Sequence, residues 1–121
     1  MTIFVVDDST VLRSIVKTAL ASFDYDEIIE AKDGEDAWEK IKTMQKKIDL
    51  FILDINMPKL NGLQLLERIR AEDKKTPVII LTTESDKDKM IEAKKLGATG
   101  WIIKPFDKGK LIQIVDMLIK K

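Results

Sequence analysis

Three runs of four consecutive apolar residues punctuate this chain: Ile3-Phe4-Val5-Val6, Leu50-Phe51-Ile52-Leu53 and Val78-Ile79-Ile80-Leu81. A run with no polar alternate has both faces buried. That marks a strand inside a parallel sheet covered on two sides. Each run ends in a polar group: Asp7-Asp8, Asp54 and Thr82. An acid at the end of a buried strand is costly unless something compensates its charge.

Helical periodicity fills the intervals. After Ser9 or Thr10 as a cap, Val11, Leu12, Ile15, Val16, Ala19 and Leu20 recur at helical spacing, with Arg13 and Lys17 outside the stripe and Phe23 closing the helix. Asp24-Tyr25-Asp26 reads as a turn. Glu27–Ala31 reads as a polar edge strand. Asp33-Gly34 turns into a second helix lined by Ala37, Trp38, Ile41 and Met44 and closed by Lys46-Lys47. Asn61-Gly62 opens a third helix, with Leu63, Leu66 and Ile69 inward. Pro77 stands at the first position of the fourth strand, which ends in Thr82-Thr83-Glu84-Ser85. A fourth helix spans about 86–96, and Gly97 ends it. Gly100-Trp101-Ile102-Ile103 is the fifth strand, followed by Lys104-Pro105-Phe106. Asp107 caps a fifth helix with the stripe Leu111, Ile114, Val115 and Leu118. Five strands alternating with five helices over short connections give an α/β fold, a parallel sheet covered on both faces. The expected organisation is one domain over residues 1–121, with no output domain.

Composition removes several chemistries. The chain has no cysteine and no histidine, and its 21 basic and 21 acidic side chains balance. Disulfides, thiolate or imidazole metal sites and histidine-based catalysis are excluded. A balanced charge argues against nucleic-acid binding. Neither a signal peptide nor a membrane-spanning stretch is visible, so the expected location is the cytoplasm, without membrane insertion.

Ligands of open α/β sheets bind beyond the carboxyl ends of the strands. There the chain places Asp7, Asp8, Asp54, Thr82 and Lys104. Any one of them has a plain role, such as a helix cap or a solvated lysine. Together they suit phosphate chemistry. Three close carboxylates need a cation, and an oxygen-only set favours Mg²⁺. One oxygen of Asp54 is left as a nucleophile able to form an aspartyl phosphate. Lys104 offsets charge on the phosphoryl group and Thr82 donates a hydrogen bond to it.

In this order and spacing, Asp7-Asp8, Asp54 with Met57-Pro58 and Gly62, Thr82, and Lys104-Pro105-Phe106 resemble the receiver domain of two-component response regulators over the whole chain. Within that family the chain looks most like stand-alone chemotaxis regulators, through Asp7-Asp8-Ser9 and Gly97-Ala98-Thr99-Gly100-Trp101. The resemblance implies the strand order 2-1-3-4-5 and a phosphoacceptor role for Asp54, served by a histidine kinase. It implies Mg²⁺ held by Asp8, Asp54 and the main-chain carbonyl of Asn56, with Asp7 assisting. Thr82 and Trp101 would act as the switch, and the Lys104–Pro105 bond is commonly cis.

The surface of the fourth helix, fifth strand and fifth helix would then bind a target. A flagellar motor switch component is the first choice; a phosphorelay or the control of another protein is the alternative. A phosphatase is a further partner. The expected protein is a monomer and not an enzyme beyond its own phosphorylation and dephosphorylation. Trp101 stands where the family usually has Tyr or Phe, and it either packs or switches. Met90 and Ile91 are adjacent, so one of them should be exposed. Lys87, Lys89, Lys94, Lys95, Lys108 and Lys110 read as a solvated face. Asn56 and Glu84 fall where family members tune phosphoryl lifetime, and their polarity predicts fairly fast self-dephosphorylation.

Two rivals share parts of this pattern. A flavodoxin-like electron carrier would need a Ser/Thr/Gly-rich loop after the first strand, where Asp7-Asp8 repels a flavin phosphate. An aspartyl-phosphate phosphatase needs a general acid two residues beyond its nucleophile. Asn56 cannot supply a proton there.

Overall fold

In the computed structural model, which describes residues 1–23, 25, 27–57, 59–83 and 87–119, five strands alternate with five helices. They are β1 (Thr2–Val6), α1 (Thr10–Leu20), β2 (Glu27–Ala31), α2 (Gly34–Thr43), β3 (Leu50–Asp54), α3 (Gly62–Glu72), β4 (Val78–Thr83), α4 (Lys87–Lys95), β5 (Gly100–Lys104) and α5 (Lys108–Ile119). The strands form one parallel sheet in the order β2-β1-β3-β4-β5. This is the expected class and order. Asp24, Asp26, Pro58, Glu84, Ser85 and Asp86 lie outside the described residues.

Solid apolar runs occupy the three central strands because both of their faces are buried. Ile3, Val5, Leu50, Ile52, Ile79 and Leu81 point to one side and meet Val16, Ala19 and Leu20 of α1 with Leu111 and Val115 of α5. Phe4, Val6, Phe51, Leu53, Val78 and Ile80 point to the other, against Ala37, Leu63, Leu65, Leu66, Ile69 and Ala93 of α2, α3 and α4. The period of two along each strand divides the interior into two cores. The polar, half-buried β2 is an edge strand, as its sequence predicts.

Helix starts follow the cap chemistry. Ser9 accepts from the Leu12 N–H, and Asp33 from the Asp36 N–H. Asn61 and Gln64 form a reciprocal capping box. Asp107 accepts from the Lys110 N–H at 2.8 Å. α4 ends at Gly97, whose φ of +103° an L side chain rarely adopts. The C-terminus of α2 differs slightly from expectation: it stops at Thr43, before Lys46, which pairs instead with Glu27 of β2.

Helix α1 is the larger departure. Val11 is 70% and Ile15 39% exposed. The inward line is Leu12, Val16, Ala19 and Leu20, spaced by four, three and one. Val11 and Ile15 each precede a member of that line by one residue, a rotation of about 100° that carries them off the sheet. On the opposite flank, Arg13 is mostly covered. Its guanidinium donates to the Asp7 main-chain carbonyl and to Glu30 at 3.1 Å.

Two glycines let α2 and α3 approach the site. A Cβ on Gly34 would lie 1.9 Å from the Leu60 carbonyl oxygen, and one on Gly62 would lie 2.2 Å from that of Asp54. Gly62 also donates its N–H to the Ile55 carbonyl at 3.1 Å. The first turn of α3 is thus seated directly on the backbone that carries Asp54. Gly62→Ala forces that turn outward, and urea unfolding should show a loss of about 1–3 kcal/mol. An unchanged midpoint would mean the turn yields at no cost.

Candidate functional site

Because all five strands run the same way, their carboxyl ends share one edge of the sheet. Asp54 closes the central strand β3, between β1 and β4. Asp7 follows β1, and its N–H continues the ladder to the Ala31 carbonyl at 3.1 Å. Lys104 closes β5, two strands from β3. Its ammonium crosses to Asp54 Oδ1 at 3.0 Å and lies 3.8 Å from Asp7 Oδ2. Asp7, Asp8 and Asp54 bring one oxygen each within 4.8 Å of one another.

The three acids differ in environment. Asp7 and Asp54 are each 1% exposed, whereas Asp8 is exposed to solvent. Asp7 Oδ1 accepts from the Ser9 N–H at 2.8 Å, the geometry that turns the chain into α1. Asp7 Oδ2 is buried and accepts no hydrogen bond from the described residues. Asp54 Oδ1 is also approached by the Asn56 N–H at 3.4 Å. Thr82 is fully buried, one residue before the end of β4, and its hydroxyl donates to the Thr83 carbonyl at 3.3 Å. The Lys104–Pro105 peptide is cis, as the resemblance implies.

Burial pushes Asp7 up to about 6; the Ser9 N–H opposes the rise and the Asp54 charge adds to it. Burial raises Asp54 as well, offset in part by the hydrogen bond and charge of Lys104. One ammonium does not balance three clustered carboxylates. An orphaned buried oxygen beside two further carboxylates suits a hard divalent cation, since all the donors are oxygen.

Residues 3–116 match the family described as the response regulator receiver domain. The chain belongs to the receiver-domain family of response regulators. Chemotaxis protein CheY1 of Helicobacter pylori is 37% identical over 121 residues, covering 98% of this chain and 97% of the relative. A CheY homolog of Campylobacter jejuni is 41% identical over 108 residues, covering 88% and 82%. Among solved structures, the chemotaxis response regulator CheY4 of Vibrio cholerae superposes with a TM-score of 0.86 at 34% identity, covering 97% of each chain. The protein is therefore a receiver domain of the CheY type, of two-component signalling. Such domains are signalling regulators rather than classical enzymes, and the acidic cluster fits the Mg²⁺ such receivers bind.

The receiver's expected site residues fall into two groups. Asp7, Asp8, Asp54 and Lys104 converge closely. Thr82 lines the same edge, and Asn56 stands just outside it with its side chain exposed. Trp101 is elsewhere: it lies on the outer surface of the edge strand, 36% exposed. Met90 is half-buried and Ile91 exposed, as their adjacency requires.

Two neighbours of the receiver site carry no signal in the sequence that reveals their contacts. Arg13 looks like an ordinary off-stripe cation, yet it holds the carbonyl of Asp7. Lys89 looks solvated, yet it donates to the Asn56 side-chain oxygen at 2.9 Å. Only Arg13's position, within one turn of the cap that follows Asp7, hinted at its contact.

Among the described residues, no helix is long and apolar enough to cross a membrane.

Asp7 titrates higher in the folded receiver than its ordinary value of 3.8. Deprotonating it therefore favours unfolding. The folded state keeps this contribution below about pH 4 and loses it as pH rises through about 6. In metal-free protein, Asp7→Asn should raise the unfolding free energy at about pH 8 by as much as about 3 kcal/mol. Near about pH 3.5 the gain should vanish. Urea titrations at the two pH values check this, and an equal gain at both would assign the effect to packing.

Proposed function

We propose that Asp54 accepts a phosphoryl group from the phosphohistidine of a histidine kinase, and that this charge switches the receiver's affinity for a target protein. The contact that most supports this reading is Lys104 on Asp54 Oδ1 at 3.0 Å, inside a cluster of three carboxylates.

In the transfer, an oxygen of Asp54 forms the new bond to phosphorus. The phosphorus–nitrogen bond to the kinase imidazole breaks, and that nitrogen leaves with the electron pair. Lys104 meets the charge on the phosphoryl oxygens, and the Thr82 hydroxyl turns from the Thr83 carbonyl to donate to one of them. Asp7, Asp8 and Asp54, with the main-chain carbonyl of Asn56, would hold Mg²⁺, which when bound neutralises the crowded negative charge.

Movement of Thr82 reaches the surface through α4, β5 and α5. Ile91, Trp101 and Ile103 are exposed there and offer apolar contact area to a partner. The chemotaxis names of the relatives favour a flagellar motor switch component as the target. The receiver works in the cytoplasm as a monomer, and a phosphatase resets it.

Acetyl phosphate should label the wild-type chain in Mg²⁺, and EDTA or Asp54→Asn should abolish the label. Labelling of Asp54→Asn to the wild-type extent would assign the acceptor elsewhere. Beryllofluoride with Mg²⁺, which imitates the aspartyl phosphate, should raise recovery of the motor-switch target in a pull-down. Equal recovery in both states would defeat the switch.

A further inference from the structure

Lys89 stands on the first turn of α4 with its side chain in solvent, yet its ammonium reaches the side-chain carbonyl oxygen of Asn56 at 2.9 Å. Asn56 lies two residues beyond Asp54 and turns its own N–H toward Asp54 Oδ1 at 3.4 Å. The Asn56 side chain is exposed to solvent, two residues from the buried Asp54 carboxylate.

An asparagine side chain has an acceptor end, its oxygen, and a donor end, its amide nitrogen. A water attacking an aspartyl phosphate is oriented by an acceptor, because it must shed a proton as it bonds to phosphorus. The Asn56 oxygen is the end suited to that task, and it is the end that Lys89 engages.

We propose that Lys89 is a positioning residue for hydrolysis of the phosphoryl group: it occupies the Asn56 oxygen, withholds it from the attacking water and so lengthens the lifetime of the phosphorylated state. This rests on Asp54 being the phosphoacceptor. In the step itself, the water oxygen bonds to phosphorus and the bond from phosphorus to the Asp54 oxygen breaks. The carboxylate keeps the electron pair, and the water's proton leaves with inorganic phosphate or to solvent. The polarity of Asn56 by itself favours rapid hydrolysis, and Lys89 restrains it.

A direct action of the Lys89 charge on the phosphoryl group is the competing cause. The two separate in a double-mutant cycle, since only the first route requires the Asn56 side chain. Protein labelled with acetyl phosphate in Mg²⁺ is freed of donor, and loss of label is followed. The set is wild type, Lys89→Ala, Lys89→Arg, Asn56→Ala and the double variant Lys89→Ala with Asn56→Ala.

Loss of one solvent-exposed hydrogen bond corresponds to a modest rate change, so Lys89→Ala should shorten the half-life about three- to tenfold. Lys89→Arg keeps a donor and should restore most of the wild-type half-life. In the Asn56→Ala background, Lys89→Ala should change the rate by less than about twofold, because the shared interaction is already gone. Equal rates in wild type and Lys89→Ala would overturn the proposal, and so would an undiminished acceleration in the Asn56→Ala background. If wild type takes no label at all, the phosphoacceptor reading itself falls, and this proposal falls with it.

Discussion

The constraint on which the rest depends is the burial of two carboxylates, Asp7 and Asp54, side by side at the carboxyl edge of a parallel sheet. Removing a carboxylate from water costs several kcal/mol even after relaxation, and here a third acid stands close by. Lys104 compensates part of that charge from two strands away, which works only if β5 lies beyond β4 and β3 lies at the centre. Strand order and electrostatics are therefore one problem. Gly62 is seated closely on the backbone of Asp54, while the Ser9 N–H holds Asp7 Oδ1 and Arg13 holds the Asp7 carbonyl.

The apolar interior supplies the rigidity. Three strands buried on both faces tie the two cores into one body, and the site hangs from their ends. Stability is uneven around that body. Helix α3 buries five residues, whereas α4 fully buries only Ala93 among the described residues. An element with so little buried apolar surface can shift at low cost. It lies next to β4, which carries Thr82, so the helix with the least buried surface adjoins the residue expected to move.

Much of this is legible in the sequence because it depends on local rules. Unbroken apolar runs mark central strands, polar Glu27–Ala31 marks an edge, and Ser9, Asp33, Asn61 and Asp107 mark helix starts through short-range hydrogen bonds. The convergence of Asp7, Asp8, Asp54 and Lys104 follows once the strands are parallel. Position around a helix is less legible. A stripe that includes Val11 and Ile15 is as periodic as one that excludes them, and only the placement of α1 over the sheet decides between the two. Long side chains are the hardest to read. Arg13, Arg70 and Lys89 each reach partners through four or five rotatable bonds, so their positions in the sequence say little about what their ends touch.

Arg70 illustrates a consequence of such reach. From α3 it donates to the Gly97 carbonyl at 3.0 Å, to the Asp73 carbonyl at 2.9 Å and to the Thr99 hydroxyl at 3.4 Å. The Thr99 oxygen in turn accepts from the Val78 N–H at 3.0 Å, which fastens the turn to the start of β4. The far end of α4 is thus pinned to two other elements, and near its start Lys89 donates to the Asn56 side-chain oxygen. Any displacement of α4 must therefore either turn about the Gly97 end or break the bonds that Arg70 makes there.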